Sequence, residues 1–584
     1  MRYQSSAVAS QTAVLVMCMY ILGVWDGHDS GSALICDDKI LFASNEERYT
    51  KRKLEVAFPY NSIKAAIKYA GIKPSDISLV AFPTTEITKT VSRIFPFQKE
   101  AYYRFRRRKM QKPLLEPLMH ISKYSMTSIG PLPGCKAIST HIISRQLALL
   151  GIKAKTVAVD HHSAHAASAA FTSGFRKALV ITIDGVGDGL SASVSTVSKG
   201  ILTRHHKISA RNSIGIFYEQ VTNILGMREL EDEGKIMAMA DYSYPFEPKD
   251  NKLNDFFTTK DMDIRARYNP VSQYRRLSRL SWSIPREQFA YMAQQVLEEN
   301  VVKLFSEAEA KFGMHDLAYA GGVASNIKAN MKIRQLENTK NLYIFPHMGD
   351  GGIALGAAMY ANYISNGVSS YEFNSAYLGR DYHEDEVERE LRKHKWISYE
   401  KEKDAPGHAA ELIGKGNYIL WFNGRMEYGP RALGNRSILA RPDSQKVKDT
   451  LNISVKKREW YQPFAPSILE AEAERLFDEV KCTDRFMTMA YMVKEECRSH
   501  MESVMHVDAT ARPQMVGSEN ADYSMLIKKL KKSTGYGVVL NTSFNIHGMP
   551  IAESPEDAIN TMKATGSKYL FINGYLIQNK EGKK

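Results

Sequence analysis

Cysteine is scarce in this chain, and what there is does not pair. The five cysteines among 584 residues (Cys18, Cys36, Cys135, Cys482 and Cys497) are scattered, odd in number and without a CxxC spacing. That excludes a disulfide framework and a cysteine-built zinc site, and it fits a reducing, cytoplasmic location. Long hydrophobic runs are missing too. No stretch of eighteen apolar residues occurs, so no membrane span is expected. The apolar run Ala13 to Val24 has no basic cluster before it and no small-residue cleavage site, so it reads as a buried first strand, not a signal peptide. Residues 1–18 are expected to be a disordered tail or an over-called start, with the initiator at Met17 or Met19.

Acidic residues are in deficit: 64 against 78 lysines and arginines, a formal charge of +14. The excess is local. Residues 99–113, KEAYYRFRRRKMQKP, hold seven basic residues and one acid, and Arg265, Arg267, Arg275, Arg276 and Arg279 form a second cluster. Such runs serve as solvated faces or anion-steering surfaces, with nucleic-acid binding the less favoured use. At 44% apolar and 24% charged the composition is that of a globular protein, and the length is too great for one hydrophobic core.

What is present is a set of glycine turns carrying charged residues. Gly424 to Ser437, GRMEYGPRALGNRS, places Arg425, Arg431 and Arg436 among three glycines and a proline. Arginine forks match phosphate or carboxylate oxygens, and glycine lets backbone N–H groups come close to an anion. Lys456, Arg458, Arg512, Asn541, Thr542, Ser543 and Asn545 add further candidate anion ligands in the same C-terminal region. Upstream, residues 20–43 and 178–197 repeat one pattern, an apolar strand ending in Asp-Gly and a small-residue turn, with Asp26 and Asp184 in equivalent places. That duplication is the sequence shape of the actin-like/sugar-kinase ATPase fold, an α/β class in which nucleotide and metal bind between the halves.

Leu317 to Asn326, LAYAGGVASN, predicts a strand, a Gly321-Gly322 turn and a helix, a place for nucleotide with Asn326 beside it. Asp160 to Ala170, DHHSAHAASAA, predicts a helix capped by Asp160, with His161 and His165 at i and i+4 on one face and His162 turned away. Asp184 and Asp350, on predicted cleft turns, would complete an imidazole–carboxylate shell suited to iron or zinc better than calcium. The pattern breaks at 362–378. Beyond it, strands such as Tyr418 to Phe422 and Gly537 to Leu540 alternate with amphipathic helices, an α+β or α/β pattern.

The blocks GRMEYGPRALGNRSILA, KKREWYQPFAPSIL, HVDATARPQ and LNTSFNIHGMPI, with ILGVWDGHDSGSAL, VDHHSAHAASAAF, EGKIMAMA, AGGVASN and HMGDGGIALGAA upstream, resemble the signature blocks of the O-carbamoyltransferase family. The resemblance implies two domains. Residues 19–368 would be similar to the enzymes that install threonylcarbamoyl-adenosine in tRNA, and residues 375–584 would be a YrdC-like domain. It implies that carbamoyl phosphate and ATP, with Mg2+, form carbamoyl-adenylate against Arg431, Arg436, Lys456, Arg458, Arg512, Asn541, Ser543 and Asn545. Transfer to a hydroxyl of a small-molecule acceptor would follow in the first domain. His161, His165 and Asp350 would hold a metal, iron before zinc, and Gly321, Gly322 and Asn326 the nucleotide. Asp26, His28 and Asp184 would face the acceptor, with Asp26 or His28 as general base. A tRNA-modifying enzyme, a small-molecule kinase and a non-catalytic nucleotide-binding regulator are the rival readings, and a homodimer is left open.

Overall fold

The computed structural model describes residues 18–109, 125, 129–244, 246–459 and 461–580. The expectations for residues 1–17, and for the end of the basic segment at 110–113, lie outside the described residues.

Five strands form the first sheet: β1 (Tyr20–Trp25), β2 (Gly31–Cys36), β3 (Lys39–Asn45), β4 (Ile77–Pro83) and β5 (Lys155–Val159). Strand β1 is nearly all buried, as an apolar strand covered on both faces must be. The order is β3-β2-β1-β4-β5, with β1 antiparallel to β2 and parallel to β4. The second sheet uses β6 (Lys177–Gly187), β7 (Leu190–Ser198) and β8 (Ile201–Ser209). A small hairpin, β9 (Phe257–Lys260) and β10 (Asp263–Ala266), precedes its last two strands, β11 (Asp316–Ala320) and β12 (Asn341–Ile344). Read from β8, the order is β8-β7-β6-β11-β12, strand for strand the arrangement of the first sheet. The duplication expected from Asp26 and Asp184 is therefore a duplication of topology.

Two helices, His161–Thr172 and Ile353–Asn366, pack together between these sheets. Their contact depends on absent side chains. A Cβ at Gly356 would meet the Ala164 carbonyl oxygen at 2.0 Å, and one at Gly23 in β1 would meet that of Ala354 at 1.8 Å. Asp160 caps the first helix by accepting the Ser163 N–H at 2.8 Å, as its position predicts.

The remaining chain builds an eight-stranded mixed sheet between Ile397 and Asn579. Its central strand Ile419–Phe422 alternates: Ile419 and Trp421 face the helices Ala405–Gly414 and Ala521–Thr534, while Leu420 and Phe422 face the other way. The apolar cluster that receives Leu420 and Phe422 also contains Leu179, Ile181 and Tyr319 of the second sheet. The two parts of the chain thus share a continuous core. Among the described residues no helix is long and apolar enough to cross a membrane.

Candidate active site

Where the two parts meet lies a cavity of about 1050 Å3. Its walls include Asp26, His28, His161, Asp184 and Asp350 from the duplicated sheets, and Arg431, Lys456, Arg458, Arg512, Ser543 and Asn545 from the third. Residues more than three hundred positions apart in sequence therefore face one space.

On the first side, helix geometry brings His161 and His165 together, and strand β6 and the turn after β12 bring Asp184 and Asp350 to them. His161 Nε2 lies 3.0 Å from Asp184 Oδ2 and 3.4 Å from Asp350 Oδ1, and His165 Nε2 is 3.5 Å from Asp350 Oδ1. One donor atom from each of the four falls within 4.8 Å of every other. His165 Nε2 and Asp350 Oδ1 are buried without a hydrogen bond. Buried polar atoms left in this state fit a cation between them. Burial works against charge on His161, yet Asp350 and Asp184 raise its pKa to about 10, the response of imidazole to a pair of carboxylates. His162 turns away as expected, to Thr182 Oγ1 at 2.8 Å. Gly187 makes room for the cluster: a Cβ there would meet His161 Cδ2 at 2.0 Å.

Asp26 does not suit the role of general base. Only 3% exposed, it receives Arg93 Nη2 at 2.7 Å and Lys99 Nζ at 2.7 Å. Burial pushes its pKa up, but the two cations overcome this and hold the carboxyl far below the ordinary range, so it binds a proton poorly. His28 lies 3.0 Å from Asp350 Oδ2 and beside Asp29; against burial, these carboxylates raise it to about 9. Asp184 sits with the metal candidates. The basic segment is a second difference. Lys99, Arg106 and Arg107 are folded inward: Lys99 onto Asp26, Arg106 onto the Leu230 carbonyl at 3.0 Å, and Arg107 onto Glu231. The second cluster, from Arg265 to Arg279, is exposed.

The loop Gly424 to Ser437 divides its arginines. Arg431 lines the cavity. Arg436 does not: it is fully buried, stacked 3.5 Å from the Phe422 ring centroid, and donates from Nη1 to the carbonyls of Asn423, Gly424 and Asn435. Arg425 reaches the carbonyl of Leu41 in β3 and that of Leu378 in the connecting segment. Asn541 is likewise behind the wall, donating to the Ala432 carbonyl at 3.1 Å. These three help to position the loop, alongside the buried side chains of Met426, Tyr428 and Leu433.

Across the cavity Arg431, Arg458, Arg512 and Lys456 approach one another, and among the described residues none has a carboxylate in ion-pair contact. Burial lowers Arg431 and Arg458 to about 10. Arg512 falls well below its usual value through burial and the charges of Arg431 and Arg458, and Lys456 falls through burial and the charges of Arg458 and Lys53. Lys456 Nζ donates to Ser543 Oγ at 3.1 Å and Asn545 Oδ1 at 2.8 Å. Clustered cations with depressed pKa values describe a site awaiting a multiply charged anion.

The nucleotide candidates are mixed. Gly321, at φ +103°, is required by packing, since a Cβ would meet the Ile183 carbonyl oxygen at 2.2 Å. Gly322 lines the cavity and donates its N–H to Asp184 Oδ1 at 2.7 Å. Asn326 also lines the cavity, where it caps the helix Ile327–Arg334 and exchanges amide hydrogen bonds with Gln294.

Residues 20–359 match the family model described as carbamoyltransferase N-terminus, and 410–579 match carbamoyltransferase C-terminus. The chain belongs to the carbamoyltransferase family. It is 32% identical over 578 residues to an uncharacterized protein of Methanocaldococcus jannaschii, covering 95% of this chain and 99% of that one. With nodulation protein NolNO of Sinorhizobium fredii it shares 32% identity over 95% of this chain and 79% of the relative. With the 3'-hydroxymethylcephem-O-carbamoyltransferase of Streptomyces clavuligerus it shares 31% over 55% and 60%.

In this carbamoyltransferase several supports were not visible as site residues in sequence. Glu427, buried inside the arginine loop, accepts the N–H groups of Leu433, Asn435 and Arg436 at 2.8, 2.8 and 3.0 Å. Asp188 accepts the His161 N–H at 2.9 Å through one oxygen and Thr84 Oγ1 at 2.6 Å through the other. Its place in the GVGDG turn was the available signal.

Proposed function

We propose that the protein is an ATP-dependent O-carbamoyltransferase that works through carbamoyl-adenylate, with both half-reactions in the one shared cavity. The observation that carries this is the meeting of the His/Asp cluster and the unpaired cations in a single space. Under this reading residues 375–584 act as the YrdC-like, adenylate-forming unit and residues 19–368 as the transfer unit. Water frees phosphate from carbamoyl phosphate, the carbamate oxygen attacks the α-phosphorus of ATP, and pyrophosphate leaves. Arg431, Arg458, Arg512 and Lys456 offset the charge gathered on these oxygens, and Ser543 and Asn545 orient the carbamoyl end. Mg2+ accompanies the ATP, and Gly322 lies where nucleotide would pass. The acceptor is a small molecule bearing a hydroxyl.

His161, His165, Asp184 and Asp350 would hold a divalent cation, with iron favoured over zinc. When bound it supplies Lewis-acid chemistry to carbonyl or phosphate oxygens. His28 orients Asp350 from behind, and Asp26 fixes Arg93 and Lys99 at the acceptor end of the cavity.

Incubation with ATP and carbamoyl phosphate, without acceptor, tests the reading. Pyrophosphate and carbamoyl-adenylate are expected, and both should fall when Arg431 or Arg512 is replaced. Failure of the wild-type protein to release pyrophosphate under these conditions sinks it.

A further inference from the structure

The acceptor hydroxyl must lose a proton during transfer, and most carboxylates on the cavity wall are already engaged. Asp26 holds Arg93 and Lys99, Asp184 and Asp350 hold imidazoles, and Glu231 holds Lys53 and Arg107. Asp241 faces His506 at 2.9 Å and Lys328 at 3.1 Å. Glu86 is different. It lines the same cavity, is 5% exposed, and its Oε2 is buried with neither a hydrogen bond nor an ion pair.

Local structure gives Glu86 no other employment. It stands at the start of the helix Ile87–Ile94 without capping it, and Oε1 accepts only the Thr88 hydroxyl at 2.6 Å. The turn that presents it is strained. Thr84, a β-branched residue, lies at φ +62°, a conformation found mostly where surrounding structure enforces it for function. Asp188 enforces it by accepting Thr84 Oγ1 and the Thr85 N–H, and its second oxygen takes the His161 N–H. One carboxylate therefore ties the Glu86 turn to the helix that carries His161 and His165. The charges acting on Glu86 are Lys89 on its own helix, Asp188 on the opposing turn and His161.

We propose that Glu86 is the proton acceptor for the incoming hydroxyl. This rests on the adenylate reading above. The acceptor O–H bond breaks with its proton passing to Glu86 Oε2, and the oxygen bonds to the carbamoyl carbon. The bond from that carbon to the adenylate phosphate oxygen breaks, and AMP leaves with the electron pair. Protonated Glu86 then returns its proton to water in the cavity. Burial raises the pKa of Glu86, the direction a base working near neutral pH requires.

The test uses the full-length, metal-loaded protein with carbamoyl phosphate and ATP. Hydroxylamine serves as a nucleophile that needs no base, and glycerol at molar concentration as a generic alcohol. ATP-dependent hydroxyurea reports adenylate formation; glyceryl carbamate reports transfer. For Glu86→Gln the expected result is hydroxyurea at the wild-type rate, glyceryl carbamate reduced ~100-fold in kcat, and loss of the acid limb of the transfer pH profile. Glu86→Asp should give an intermediate rate and keep the limb. Transfer by Glu86→Gln at the wild-type rate, a rise in glycerol KM alone, or parallel loss of both products in both variants overturns the assignment. So does wild-type transfer to glycerol no faster than that of free adenylate in buffer. Absence of hydroxyurea from the wild-type protein instead overturns the adenylate reading beneath it.

Discussion

A buried cation without an ion-pair contact is destabilising, so Arg512 marks a conflict between folding and function. Its charge is disfavoured by burial and by Arg431 and Arg458, and Asp484 offsets this only in part. Replacing it with glutamine removes that repulsion while deleting a ligand. Arg512→Gln should unfold at the same or a higher temperature than wild type, lose the thermal shift produced by pyrophosphate, and form adenylate ~100-fold more slowly. Scanning calorimetry and pyrophosphate release check the two halves of that expectation. Glycine poses the opposite case, where the absence of a side chain is the function. In Gly187→Ala the new Cβ would stand 2.0 Å from His161 Cδ2 and 2.6 Å from Nε2, so the ring must move. Metal content by elemental analysis should fall sharply, with secondary structure by circular dichroism retained.

At the scale of single elements, the segment that begins with helix Ile87–Ile94 and continues through Phe97–Arg106 forms a wall of the cavity. Its basic character was plain in sequence, but its use was not, because the partners Asp26 and Glu231 lie far away along the chain. Arg93→Met would leave Asp26 buried with Lys99 alone. Breaking such a pair costs on the order of 3 kcal/mol at neutral pH. Asp26 is depressed in the folded state, so this contribution is present above the ordinary aspartate pKa of about 3.9 and fades as pH falls below it. Urea unfolding at pH 7 and again near the acid limit of folding should show the gap between wild type and variant narrowing with acidity. The arginine loop shows the same limit. Composition pointed to an anion, yet only Arg431 of its three arginines reaches the cavity, since Arg425 and Arg436 are spent, with Glu427, on the backbone carbonyls and N–H groups that fix the loop.

For the whole molecule, the decisive feature is that one cavity joins two chemistries. The parts are bound by more than the apolar core: Arg48 Nη2 donates to the Gly429 carbonyl at 3.0 Å, Tyr428 Oη to that of Gly351 at 3.0 Å, and Asn330 Nδ2 to that of Thr488 at 2.8 Å. Stripping the bound metal with a chelator, then removing the chelator and restoring Mg2+ for the ATP, should therefore leave pyrophosphate release from ATP and carbamoyl phosphate intact while abolishing carbamoyl transfer, with transfer restored by adding back Fe2+ or Zn2+ separately. Equal loss of both half-reactions on chelation would contradict the division of labour.

The sequence by itself determined the family, the duplicated strand pattern, the absence of a membrane-crossing helix among the described residues, and the His161/His165 pair, because each of these is written in local spacing or in contiguous motifs. Tertiary structure alone decided which charged groups are available to a ligand and which are already taken. Asp26 is locked by Arg93 and Lys99, Arg436 is held behind the wall, and Glu86 is left with an unpartnered oxygen. Charge neutralisation and burial depend on contacts between residues distant in sequence, and no local pattern records those.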